Sequence, residues 1–561
     1  MRNSGTHPRW CWTLLLLAVS MSVSAQDDLP PVTRTYAITH VNIIQAPGRK
    51  IDMGTVVLKD GIITAVGKAV AIPPEAIVIK ADSMYVYAGF IDGLSRTGVA
   101  RPKEEANRER PKDPGNPTPE RAGITPHADV RYSLNPADKS IEDLRQAGFA
   151  IAHVVPYGGM LPGSGALILL SGKSADQLII QTKSALYSEL TGASGVYPNT
   201  VIGVMAKWRD LYRQAAQGKS YESLYASNRT GLERPATDRN LEAFYPVIDQ
   251  KIPVLFKAEK LLDVQRVLML KNELKFPLTL AEVKEGWHAI PKIKASGAKV
   301  FLSLDLPEEM KKEEKKDDKK KEERPRTAAE TEKEQLEKRR AEAITNYTAQ
   351  AAAFHKAGVP FGFSMLNAKP KDVHANLRRM IAAGLSEDAA LAALTTSPAQ
   401  LLGIADRAGT VDPGKMANLV ISDKPFFSEK AKIRYVFVDG TLTKLEIKET
   451  KKADPNAKVE IEGTWNTTTQ SPQGTSTGKL VFKKEGSGYT GTASSSMSPD
   501  SFPLKDITLE GNALSFKYTM SFGSRSIDVE ISVTVEGDSF KGNTSVGSFG
   551  SFPVEGTKNP K

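Results

Sequence analysis

The chain has 561 residues, of which 40% are apolar, 25% charged and 7% aromatic, with a formal net charge of +10; at roughly 150 residues per domain this accommodates three or four units. With Gly at 43 and Pro at 34, collagen-like and wholly disordered chains are excluded. One cysteine, Cys11, and seven histidines limit thiol and imidazole chemistry from the outset.

The first 25 residues have the form of a secretory signal peptide. Arg2 and Arg9 give a basic start, Leu14 to Val19 an apolar run, and Val23-Ser24-Ala25 a small-residue cleavage site. The run is too short for a membrane span, which needs about 20 apolar residues. Cleavage near Ala25 predicts an exported, periplasmic or secreted protein without Cys11 and His7, so without a thiol for disulfides, nucleophilic catalysis or zinc. Loss of Arg2 and Arg9 lowers the formal charge from +10 to +8.

Residues 33 to 88 read as short strands with a Lys59-Asp60-Gly61 turn, a small β unit. From residue 89 apolar strand-like runs alternate with helical segments: Ile151 to Pro156, Ala166 to Leu170, Ile252 to Phe256, Leu278 to Ala281, Lys299 to Leu304 and Val359 to Ser364. Such alternation over some 300 residues predicts a parallel α/β barrel. The Pro-rich stretch Arg101 to Pro136 interrupts it as a long loop. A helix over Ser386 to Leu394 begins with a capping serine and the acids Glu387 and Asp388. The run Lys311 to Arg340 holds 13 Lys or Arg and 10 Asp or Glu among 30 residues, a mixed, solvated insertion. Since no basic stripe interleaves with aromatics, no nucleic acid partner is expected, and no later stretch predicts a membrane span.

Strands return at Ala417 to Ser422 and Ile433 to Val438, the latter closed by an Asp439-Gly440 turn. After the charged linker Lys448 to Lys458, residues 459 to 558 are rich in Ser, Thr and Gly with recurring alternation. They predict a separate C-terminal antiparallel β domain, a sandwich or small barrel. Its opening, Glu462-Gly463-Thr464-Trp465, weakly resembles the G-x-W start of lipocalin-like barrels, with Trp465 as a core residue.

Four stretches resemble the metal-dependent amidohydrolase superfamily, in particular its imidazolonepropionase-like and prolidase-like secreted branch. They are Ile38 to Ile43 with Val57 to Val66; Ala88-Gly89-Phe90-Ile91-Asp92; Gly384-Leu385-Ser386 through Gly403; and Gly409-Thr410-Val411-Asp412-Pro413-Gly414-Lys415 with Val438-Asp439-Gly440. The resemblance implies a distorted (β/α)₈ barrel over 89–404 and a composite β-sandwich built from the flanks, 33–88 and 405–447. It also implies a metal at the barrel mouth whose bound water attacks a C–N bond. The ligands would be an H-x-H pair, two further histidines and an aspartate at strand ends.

Mapped onto this chain, those positions are Leu94 and Arg96, then Lys257, Glu282 and Leu366. Leucines and cations do not hold a divalent metal, so no cofactor is expected. The remaining pocket candidates are Asp92, His153, Lys257 and Glu282, with Lys257 and Glu282 expected to pair across the barrel. The expectation is a non-catalytic ligand- or partner-binding homologue, in an assembly with an active relative. Two alternatives stand beside it: an active C–N hydrolase with an unconventional, metal-free or zinc site, and a surface or structural role through the C-terminal β domain.

Overall fold

The structure, a computed structural model, describes residues 34–102, 112–308, 328–445 and, with short gaps, 454–559. The signal peptide expected over residues 1–25, and residues 311–327 of the charged insertion, lie outside the described residues. The chain divides into two compact units, Met1–Leu445 and Glu446–Lys561.

The strands of the first unit run, in chain order, β1 (Thr35–Ala46), β2 (Arg49–Lys59), β3 (Ile62–Gly67), β4 (Ile77–Lys80), β5 (Tyr85–Ala88), β6 (Phe90–Ser95), β7 (Phe149–Val154), β8 (Gly163–Ser164) and β9 (Ala166–Leu169). They continue with β10 (Ile179–Gln181), β11 (Leu186–Glu189), β12 (Val254–Lys257), β13 (Leu278–Val283), β14 (Lys299–Ser303), β15 (Phe361–Ser364), β16 (Leu419–Ser422), β17 (Ile433–Val438) and β18 (Thr441–Lys444).

The two flanks meet in one eight-stranded sheet of order β18-β17-β16-β5-β1-β2-β3, with β4 paired to β1. Its seam is β16 against β5, Leu419 opposite Ala88. Alternate apolar residues, among them Ile38, Val56, Val86, Leu419 and Phe437, form its core. Each flank supplies one Asp-Gly hairpin turn with both residues at positive φ, the geometry that favours this dipeptide. The turns pack back to back: a Cβ on Gly440 would stand 2.9 Å from the Gly61 Cα, so the contact requires glycine.

The second sheet runs parallel from β7 through β6, β15, β14, β13 and β12 to β11. These strands read as nearly continuous apolar runs because both faces are covered. One face packs against helices, as where Trp208 of helix Val201–Ser227 meets Phe256 and Phe276. The expected helix after Ser386 is present as Glu387–Leu394, with the Ser386 side chain accepting from Ala389 N–H.

An all-parallel barrel is corrected at one place. β9 runs antiparallel to β7, and β8 antiparallel to β11. The link from β7 to this segment has no helix, and a parallel return needs a crossover of a dozen or more residues. Between β8 and β9 the Gly165 N–H donates to Ala185 O, so residues 163–169 join both ends of the curled sheet.

The second unit is a nine-stranded antiparallel meander, its first strand, Gly463–Ser471, paired with its last, Gly550–Lys558. Trp465 is fully buried, lies tilted against Phe540 with ring centroids 5.3 Å apart, and donates its indole N–H to Ile461 O. The mixed α/β unit and the separate C-terminal β unit are both as expected.

Candidate functional site

In parallel α/β sheets of this kind, functional side chains come from the C-terminal ends of strands. Here those ends carry Asp92 and Leu94 on β6 and Arg96 just after it, Glu189 on β11, Lys257 on β12, Glu282 on β13 and Leu366 after β15. Two layers result, one apolar and one charged.

The apolar layer includes Leu401 of the helix Thr396–Leu401. Leu94, Tyr187, Leu255, Ala281 and Phe301 form one cluster with Val155, Ala185 and Leu401, and Leu366 packs on it. Phe301 lies against two glycines: a Cβ on Gly93 would fall 1.9 Å from its ring and one on Gly362 2.6 Å. Both leucines at expected ligand positions are therefore part of a packed plug.

The charged layer is a chain of alternating signs. Arg96 donates to Glu189 at 2.6 Å and its guanidinium covers the Tyr157 ring at 4.6 Å. Glu189 also accepts from the Tyr187 hydroxyl at 2.9 Å, and its other oxygen lies 3.7 Å from Lys257 Nζ. Lys257 pairs with Glu259 at 2.9 Å. Lys284 Nζ sits 2.6 Å from Asp305, 3.8 Å from Glu282 and 3.9 Å from Glu259, an ammonium among three carboxylates. Burial lowers the Lys257 pKa, but Glu189 and Glu259 outweigh it and hold the ammonium above its usual range. Burial raises that of Glu259, yet Lys257 and Lys284 bring it below the usual carboxylate range.

The expected Lys257–Glu282 pair is not formed. Lys257 is taken by Glu189 on the adjacent strand β11 and by Glu259 just beyond the end of β12, whereas Glu282 turns to hydroxyls. It accepts from Ser303 at 2.6 Å, Ser364 at 2.5 Å and Asn367 at 3.2 Å. Glu282 has a φ of +59° at an irregularity in the β13–β14 register, a backbone conformation that costs a non-glycine residue free energy. Its carboxyl is fully buried, and burial pushes its pKa up against the pull of the two serines.

Asp92 is also fully buried. Its Oδ1 accepts from the N–H groups of Leu94 at 3.0 Å and Met365 at 2.9 Å, tying β6 to the end of β15. Burial raises its pKa to about 7, with the nearby Ser95 hydroxyl and those two N–H groups pulling the other way. His153 lies on β7, buried, its Nε2 2.7 Å from the Ser184 hydroxyl. Burial lowers its pKa to about 4, so the ring is neutral at pH 7. A Cβ on Gly165 would approach the same imidazole to 3.1 Å, so the Gly163-x-Gly165 turn closes on His153.

The donor set does not fit a divalent metal. Two of its five positions are leucines in the apolar plug, two are ion-paired cations, and Glu282 spends its oxygens on hydrogen bonds. Among the described residues no three His, Cys, Asp or Glu side chains are grouped to hold a metal ion. What the charged layer can do is hold polar groups at fixed positions above an apolar floor.

Sequence reasoning missed Glu189, Glu259, Lys284, Asp305 and Asn367. A signal was available for three of them. Glu189 ends an apolar strand, and Glu259 and Lys284 follow Lys257 and Glu282 by two residues, the spacing that returns to one face of a strand. Asp305 and Asn367 come from loops and carried no such signal.

Residues 258–443 match the amidohydrolase family. The fold is similar to that of an amidohydrolase from Thermotoga maritima, at 20% identity and a TM-score of 0.59, covering 72% of this chain and 99% of that one. Further similarities are to a prolidase complexed with N-methylphosphonate-L-proline (15% identity, TM-score 0.42, 73% and 100% covered) and to phenylurea hydrolase B (13%, 0.43, 73% and 96%). No curated protein matches the sequence.

Proposed function

We propose, from the premise that this chain has the amidohydrolase fold and matches that hydrolase family over residues 258–443, that it is an exported, non-catalytic homologue that works by binding a ligand or a partner. The curled sheet reads as a distorted (β/α)₈ barrel, with residues 163–169 as its one antiparallel stave.

The observation that carries this reading is the composition of the strand ends. Metal-assisted hydrolysis needs donors that can converge on an ion and an open position for water. Leu94 and Leu366 offer none, and Arg96 and Lys257 bring positive charge to the place where a cation would sit. Lys284 already supplies the counter-charge to Glu259, Glu282 and Asp305. Asp92 is closed in by Leu94 and Met365 and has no route to act as a general base. A charged rim over a packed apolar floor suits recognition.

The test is elemental analysis of the purified mature protein, paired with hydrolysis assays on N-acyl amino acids, dipeptides and cyclic amides. The expected result is no stoichiometric divalent metal and no turnover above the uncatalysed rate. Stoichiometric zinc with turnover overturns the proposal.

A further inference from the structure

We infer that the cleft between residues 304–308, which follow β14, and the helix Ala328–Lys356 binds a zwitterion with an apolar body, an inference that rests on the ligand-binding reading above. The cavity measures about 610 Å³, within the range of small-molecule sites. It opens at the C-terminal ends of β13 and β14, and Lys284 and Asp305 belong both to its lining and to the charged layer.

The charges on its walls decide the ligand. Asp305 is already paired with Lys284 at 2.6 Å, and Lys284 is shared with Glu259 and Glu282. That leaves Arg340 and Glu308, of opposite sign and with no partner among the described residues. The planar guanidinium fork of an arginine matches a carboxylate, and a glutamate matches an ammonium. Leu306, Ile344 and the Tyr347 ring add apolar surface to the lining. Tyr347 is held in place by an edge contact with Trp287 at 5.5 Å and a hydroxyl directed at Glu285 at 3.4 Å. An α-amino acid with an aliphatic side chain meets all three demands. A simple anion leaves Glu308 repelling it, and a simple cation leaves Arg340 unmatched.

The experiment is calorimetric titration of the full chain with L-leucine, L-leucinamide and isocaproate, which share one side chain and differ in charge. Leucine is expected to bind saturably and at least about tenfold more tightly than either analogue. Arg340→Met should reduce leucine to the level of leucinamide, and Glu308→Gln to the level of isocaproate. Equal binding of isocaproate and leucine, indifference to both substitutions, or no saturable binding overturns the site. If leucine fails to bind while metal and turnover are also absent, the site falls and the non-catalytic reading stands. Turnover of leucinamide with leucine binding retained has the opposite meaning.

Discussion

The two units handle buried polarity in opposite ways. In the curled sheet Asp92, Glu189 and Glu282 are buried carboxylates and His153 a buried imidazole, all at or near strand ends. In the C-terminal meander the buried polar side chains among the described residues are Thr467 and Thr544, and the core is Trp465 with Leu, Val, Ile and Phe. A buried charge costs free energy unless it is paired and hydrogen-bonded, so a fold does not accumulate such groups for stability alone. The difference is that the β unit is built around an apolar core, whereas the strand ends of the first unit keep an expensive polar layer, for which the binding role proposed above would account.

That contrast can be broken from either side. The largest effect is expected in the meander: Trp465→Ala should cost about 4 kcal/mol, because it opens a large void in a small core. Denaturant unfolding followed by circular dichroism should show the second unit's transition move while that of the first stays put. Next, Lys284→Met removes the ammonium shared by Glu259, Glu282 and Asp305. It should cost about 3 kcal/mol, the scale of breaking a buried pair from one side, and should act on the first unit only.

A third effect depends on pH. The Asp92 pKa is raised by burial to about 7 in the folded chain, so the folded state holds its proton more tightly than the unfolded state. Its favourable contribution is complete below the unfolded pKa of 3.8 and is lost as pH rises through about 7. Asp92→Asn keeps an oxygen for Leu94 and Met365 and removes the ionisation. The variant should gain stability on the order of 2 kcal/mol over the native chain at pH 8, with little difference at pH 4. His153 works on the acid side, since its pKa is lowered to about 4. Its contribution is present above the unfolded value of 6.5 and lost as pH falls toward 4, so His153→Gln should flatten that acid limb in thermal melts.

The smallest effect is expected for Lys257→Met, about 1 kcal/mol, because Lys257 is partly exposed and Arg96 still neutralises Glu189. A loss equal to that of Lys284→Met would mean that the charged layer is one cooperative network.

Much of the fold was readable from periodicity. The alternation of strands and helices, the Asp-Gly turns and the composition change after residue 458 all correspond to elements of the structure. The reversal at β8 and β9 was not, because the direction of a short apolar strand depends on the length of its connection and leaves no mark in its own residues. At the site, the identities at strand ends were legible and the partners were not. Lys257 and Glu282 are opposite charges on neighbouring strands, yet each finds nearer partners: Glu259 follows Lys257 on the same side, and Ser303 and Ser364 flank Glu282 on β14 and β15. Such choices are made over distances of an ångström, set by register and by the positive φ of Glu282.

The central claim is that plugged, cation-bearing strand ends leave no place for a catalytic metal. Titration of the metal-stripped protein with Zn²⁺ and Mn²⁺ in a calorimeter, with amide hydrolysis assayed on the same samples, tests it most directly. No saturable stoichiometric binding and no turnover at any metal concentration is the predicted outcome. One or two ions bound per chain, with hydrolysis appearing as they bind, would contradict it.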